Sequence, residues 1–129
     1  MIRIVIYGNA VPKQSTRFYR TSSGVGTYRP PKFTEWANMV KLQAVKYRQK
    51  PLLTGYLTAR LTFYLPAPKK RPKSQVYPLK SDIDNLCKGV FDPLQGIIFK
   101  NDSQIVDLEA KKRYAVDNPR VEVEIEEFL

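Results

Sequence analysis

Ile2, Ile4 and Ile6 alternate with Arg3, Val5 and Tyr7, the two-residue period of a strand with one face inward. Residues 8–32 break that pattern with Pro12, Gly24, Gly26, Pro30 and Pro31 and read as a long loop. Thr34 before Glu35 opens a helical pattern in which Trp36, Ala37, Val40, Ala44 and Tyr47 share a face opposite Lys41, Lys46 and Arg48, with Pro51 as its stop. The cleanest strand follows: Leu57, Ala59, Leu61, Phe63 and Leu65 on one side, Tyr56, Thr58, Arg60, Thr62 and Tyr64 on the other, ended by Pro66. Leu86, Val90 and Leu94 recur at helical spacing over 84–94, and Gly96 closes that helix. Past a turn at Asn101-Asp102-Ser103, Val106, Leu108 and Ala110 alternate as a strand. A second turn, Asp117-Asn118-Pro119, leads to a last strand with Val121, Val123 and Ile125 inward and Glu122, Glu124 and Glu126 outward. The order predicts an α+β fold: one domain over residues 1–129 in which a small mixed β-sheet is covered by two α-helices.

Composition narrows the chemistry. The chain has no histidine, which removes Ser-His-Asp and Cys-His nucleophilic sites, histidine-built zinc sites and every nuclease that uses histidine as its base. A single cysteine, Cys87, excludes an internal disulfide and fits a reducing compartment, where it reads as a buried helix residue. No apolar run approaches the roughly 20 residues that span a bilayer, and Met1–Ile6 lacks a signal-peptide pattern. A cytoplasmic protein without a membrane partner is expected.

The formal charge of +10 points to a polyanion as partner. Its distribution says more. Residues 1–81 hold 16 Lys and Arg against Glu35 alone, whereas residues 82–129 hold 6 against 11 acids. The 8–32 segment interleaves Lys13, Arg17, Arg20 and Arg29 with Phe18, Tyr19 and Tyr28, as an arm that grips phosphates and stacks on unpaired bases would. Lys69, Lys70, Arg71 and Lys73 form a proline-stiffened basic loop just ahead of the first acidic cluster.

That cluster is Ser81-Asp82-Ile83-Asp84-Asn85. In an extended segment Asp82 and Asp84 point to the same side and repel each other unless a cation sits between them. Mg²⁺, with Mn²⁺ as a substitute, suits oxygen ligands from one or two carboxylates and keeps positions for water and a substrate phosphate. It is also the usual route to phosphodiester hydrolysis without histidine. On the following helix Lys88 lies one turn along, placed to orient a nucleophile or to stabilise developing charge; its bland reading is a surface pair with Asp92. A calcium loop is excluded, because counting from Asp82 its fifth and sixth positions are Leu86 and Cys87.

Asp82-x-Asp84-Asn85-x-x-Lys88, Phe91-Asp92-x-Leu94 and Asn101-Asp102-x-Gln104-Ile105, in that order, resemble the RusA family of Holliday-junction resolvases. The likeness extends more loosely to Gly8, Pro12, Arg17, Lys111 and Lys112. The resemblance implies a homodimeric, Mg²⁺-dependent endodeoxyribonuclease, frequent in prophages, that recognises four-way DNA junctions by structure and makes paired nicks. It places Asp82, Asp84 and Asp102 at the family's metal ligands and Lys88 at its active-site lysine. Asn101 departs from the pattern, since the family often carries an acid there.

Two other readings compete. Glu109-Ala110-Lys111 with Asp92 or Asp102 upstream fits the short Asp…Glu-x-Lys pattern of restriction-type nucleases. A non-catalytic basic nucleic-acid-binding protein would need only the charge, though its acidic cluster would repel phosphate without a cation.

Overall fold

A computed structural model describes residues 1–13, 17–21, 24–28 and 31–128, the side chains within 17–28 excepted. In chain order the elements are β1 (Ile2–Tyr7), β2 (Arg17–Thr21), β3 (Gly24–Tyr28), α1 (Pro31–Ala44), β4 (Tyr56–Leu65), α2 (Ile83–Leu94), β5 (Ile105–Tyr114) and β6 (Arg120–Phe128). Single turns of 3₁₀ helix follow α1 at Val45–Tyr47 and precede β5 at Asp102–Gln104.

Four strands make one mixed sheet in the order β1-β6-β4-β5. β6 runs antiparallel to β1 and β4, whereas β4 and β5 are parallel. A parallel pair cannot be closed by a tight turn, so residues 66–104 cross over the sheet and carry α2 with them. This crossover sets the site: α2 runs back against β4 and β5, its start lying at the end of both strands.

Alternation decides which face is covered. Ile4, Ile6, Leu57, Ala59, Leu61, Phe63, Val121, Val123 and Ile125 are buried beneath the helices. Phe33, Trp36, Val40 and Ala44 of α1 and Leu86, Val90, Phe91 and Leu94 of α2 close the core from above. The α+β architecture expected from the sequence is the one observed, and among the described residues no helix is long and apolar enough to cross a membrane.

Three local expectations change. Residues 17–21 and 24–28 pair as antiparallel strands, β2 on β3, where a loop was expected; Gly24 and Gly26 do not prevent the pairing. Helix α1 starts at Pro31, whose fixed φ and missing N–H suit the first helical turn. In β5 the register slips so that Leu57 faces Ile105 but Thr58 faces Asp107. Val106 is then an extra bulged residue that leaves the apolar set expected to include it, and it is 57% exposed.

Gly89 ties the first loop to α2. A Cβ there would lie 2.6 Å from the Val11 carbonyl oxygen, and the Lys13 amide donates to the Asn85 carbonyl at 2.9 Å. Only glycine lets backbone approach a helix this closely.

Candidate active site

Helix α2 begins at Ile83, so the acidic pair brackets its N-terminus: Asp82 is the N-cap with extended backbone (φ −75°, ψ 133°), and Asp84 lies in the first turn. The segment is therefore not extended through both residues: Asp82 is extended and Asp84 is helical, which differs from the same-side placement expected of an extended segment. The positive end of the helix dipole favours carboxylates here. A helix-capping role alone does not account for Asp82, however, because its side chain makes no cap hydrogen bond, the bond an N-cap aspartate ordinarily supplies. Both carboxylates are exposed, and neither has an ion pair with a described residue.

The basic loop before them is held by the end of β5. Arg71 stacks on the Tyr114 ring at 4.0 Å, and Gln75 Nε2 donates to the Tyr114 hydroxyl at 2.8 Å. Arg113 lies over Tyr77 at 4.9 Å, and Lys112 Nζ donates to the Ser81 carbonyl at 2.9 Å. Three consecutive β5 residues thus fasten residues 71–81 next to the acidic pair. Lys69, Lys70, Arg71 and Lys73 are all exposed on this loop, which leads along the chain into the acidic pair. The Lys112 contact is not readable from the sequence, where the residue shows only as part of the looser family likeness and as a lysine on the inward-facing alternation of a strand.

The other expected site residues divide. Lys88 is exposed, one turn beyond Asp84. Asp92 pairs with Lys13 at 3.3 Å rather than with Lys88, so Lys13 is engaged along α2 in this structure. The side chains of Arg17 and Arg20, and the whole of Arg29, lie outside the described residues.

Asp102 stands apart from the acidic pair. Its amide donates to Gln95 Oε1 at 3.0 Å, and Gln95 caps the C-terminal end of α2, whose 12 residues put roughly 18 Å between its ends. Among the described residues no group of three or more acids, cysteines or histidines is placed to hold a metal ion. The Asp82–Asp84 pair suits a hard cation in its donor type and openness to water, but one chain supplies only two of the three expected carboxylates at that end.

The family model of the endodeoxyribonuclease RusA matches residues 8–126, nearly the whole chain. The chain belongs to the RusA endodeoxyribonuclease family. It is also similar to YqaN of Bacillus subtilis (strain 168), described as an uncharacterized protein, at 34% identity across 98% of this chain and 96% of that one.

The RusA-like segment around residue 101 now has a structural account. Asn101 accepts from the Ser103 amide at 2.9 Å while Gln104 Oε1 accepts from the Asn101 amide at 2.8 Å, a capping box. Gln104 Nε2 also donates to the Leu53 and Gly55 carbonyls, each at 2.9 Å. Asparagine caps as well as aspartate, so Asn101 keeps the turn while Asp102 stays exposed. The residues of the restriction-type alternative are spread over three elements, Asp92 on α2, Asp102 in the turn before β5, and Glu109 and Lys111 on β5. Glu109 lies on the outer sheet face, engaged by Arg60 at 3.5 Å and Lys111 at 3.9 Å, whereas Asp92 is on a helix across the sheet.

Cys87 is buried, and its thiol is pushed up to about 11, first by desolvation and then by the Asp84 charge. The native protein should therefore react negligibly with Ellman's reagent at pH 8 and release one thiol equivalent per chain in denaturant. Because the raised value favours the neutral form, the contribution of Cys87 to stability is complete below about pH 9 and falls as pH rises toward 11.

Proposed function

We propose that the protein is a Mg²⁺-dependent, structure-specific endodeoxyribonuclease that resolves four-way DNA junctions by paired nicks. The observation that carries this is the uncapping Asp82–Asp84 pair, without an ion pair among the described residues, opening α2 beside a fastened basic loop in a chain of this nuclease family. Asp82 and Asp84 would hold the cation. Bound there, it would polarise the scissile phosphoryl group and lower the pKa of an attacking water. Lys88, one turn along, donates to the charge that develops on the phosphoryl oxygens. Lys69, Lys70, Arg71 and Lys73 hold the phosphates on either side of the cut. Incubating a labelled four-way junction with and without Mg²⁺ tests the reading. A shifted band that no divalent ion converts to nicked product would favour the non-catalytic binder.

A homodimer reconciles the three-aspartate set with a chain that keeps Asp102 apart. β5 is an edge strand, with Leu108 49% and Val106 57% exposed, and a free apolar edge invites a second strand. Its outer face carries acids first, Asp107 and Glu109, and bases later, Lys111 and Arg113. Antiparallel pairing of two β5 strands about a two-fold axis at Ala110 would set Glu109 against Lys111 of the partner subunit and Asp107 against Arg113 of the partner subunit. The same arrangement carries the start of one β5, with Asp102, toward the end of the other, where the acidic pair opens.

The expected result is complementation. Asp84→Asn and Asp102→Asn are each inactive alone, but mixed chains that exchange subunits regain nicking, because each heterodimer holds one site with both native aspartates. If Asp102 served its own chain's site, no mixture would recover activity.

A further inference from the structure

We propose that Lys112 is a positioning residue for this site: by holding the Ser81 carbonyl it fixes the left-handed turn that keeps the Asp82 carboxylate out of the helix cap and open to a cation. The proposal rests on the metal-dependent reading above, but its supporting geometry is separate. Ser81 has φ +74°, in the region that side-chain-bearing residues avoid unless their surroundings hold them there. Asp82 follows at once, extended and without the cap bond its type prefers. Lys112 is in register with Phe63, which is fully buried, so its stem runs up the helix-covered face. An ammonium on that face needs an acceptor, and the Ser81 carbonyl provides one at 2.9 Å. A cation on the rim of the sheet thus sets the direction of a carboxylate on the adjoining helix without touching it. Lys88 differs, being exposed on α2 itself and free to meet substrate.

Lys112→Met keeps the stem and removes the donor, whereas Lys112→Arg keeps a donor. Manganese alone is the probe, titrated by electron paramagnetic resonance without DNA, alongside junction cleavage in Mg²⁺. Lys112→Met should weaken Mn²⁺ binding and cleavage about ten- to hundredfold, the usual scale for losing a group that orients a metal ligand. Metal-free junction binding should change by no more than about threefold, since one cation is lost among many. Lys112→Arg should restore most of both losses. Ser81→Gly should do the same in the Lys112→Met background, because glycine adopts positive φ without the Cβ penalty.

Native Mn²⁺ affinity in Lys112→Met would overturn the proposal, as would a loss that Ser81→Gly does not relieve. If Lys112→Met fails to fold, Ser81→Val decides: it leaves Lys112 intact but disfavours the turn, and undiminished Mn²⁺ binding would again refute the idea. A wild-type protein that neither binds Mn²⁺ nor cuts would instead remove the metal-dependent reading itself.

Discussion

Asp84→Asn is expected to lower Mg²⁺-dependent nicking of a four-way junction by about a thousandfold or more, the scale on which a phosphoryl-transfer site loses its charge stabilisation. Junction binding should persist or tighten, because the substitution removes a negative charge beside the phosphates. The fold should survive as well. Asp84 is exposed in the first turn of α2, where loss of its charge costs about 0.3–1 kcal/mol of dipole interaction. Asp82→Asn should match it in activity and cost little in stability, since the Asp82 side chain makes no cap hydrogen bond to lose. Gel-shift and single-turnover cleavage assays on the same preparations separate the two effects. A fully active Asp84→Asn beside a dead Glu109→Gln would transfer the chemistry to the β5 motif.

Trp36→Ala should cost about 3–5 kcal/mol, a large share of the roughly 5–15 kcal/mol that holds a domain together. Trp36 is 2% exposed in the core beneath α1, and its Cζ3 lies 3.4 Å from where a Gly8 Cβ would stand. Its loss opens a cavity between α1 and the exit of β1. Trp36→Phe should cost less than half as much. An aromatic ring remains, and the indole Nε1, buried without a hydrogen-bond partner among the described residues, is removed together with its desolvation penalty. Urea unfolding followed by far-ultraviolet circular dichroism measures both, because Trp36 is the chain's single tryptophan and its fluorescence disappears with it. Equal losses in the two variants would mean that a phenyl ring does not fill the space the indole leaves.

Much of the layout was legible because burial writes a period into the chain. β4 spans Tyr56–Leu65 and α2 spans Ile83–Leu94, close to where alternation and helical spacing put them. Each has one face packed and one solvated, so its pattern is unambiguous. β5 was harder to read. It lies at a sheet edge and carries a bulge, so the Val106-Leu108-Ala110 alternation does not report one buried face. The β2–β3 hairpin was harder still. A two-stranded pair outside the main sheet has little core to impose an apolar rhythm.

For the candidate site, the chain's residues and their order already name the groups on offer: carboxylates and lysines without histidine, an acidic pair behind a basic loop, and the ordered motifs of a nuclease family. Local composition suffices for that, because it states which groups are available. Where those groups stand depends on how distant segments pack. The parallel β4–β5 crossover sends α2 back along the sheet, which leaves Asp82 and Asp84 at one end and Asp102 at the other. The same crossover brings Lys112, 31 positions along the chain, onto the Ser81 carbonyl. Sequence proximity could suggest neither result, because both depend on which strand ends the topology brings together.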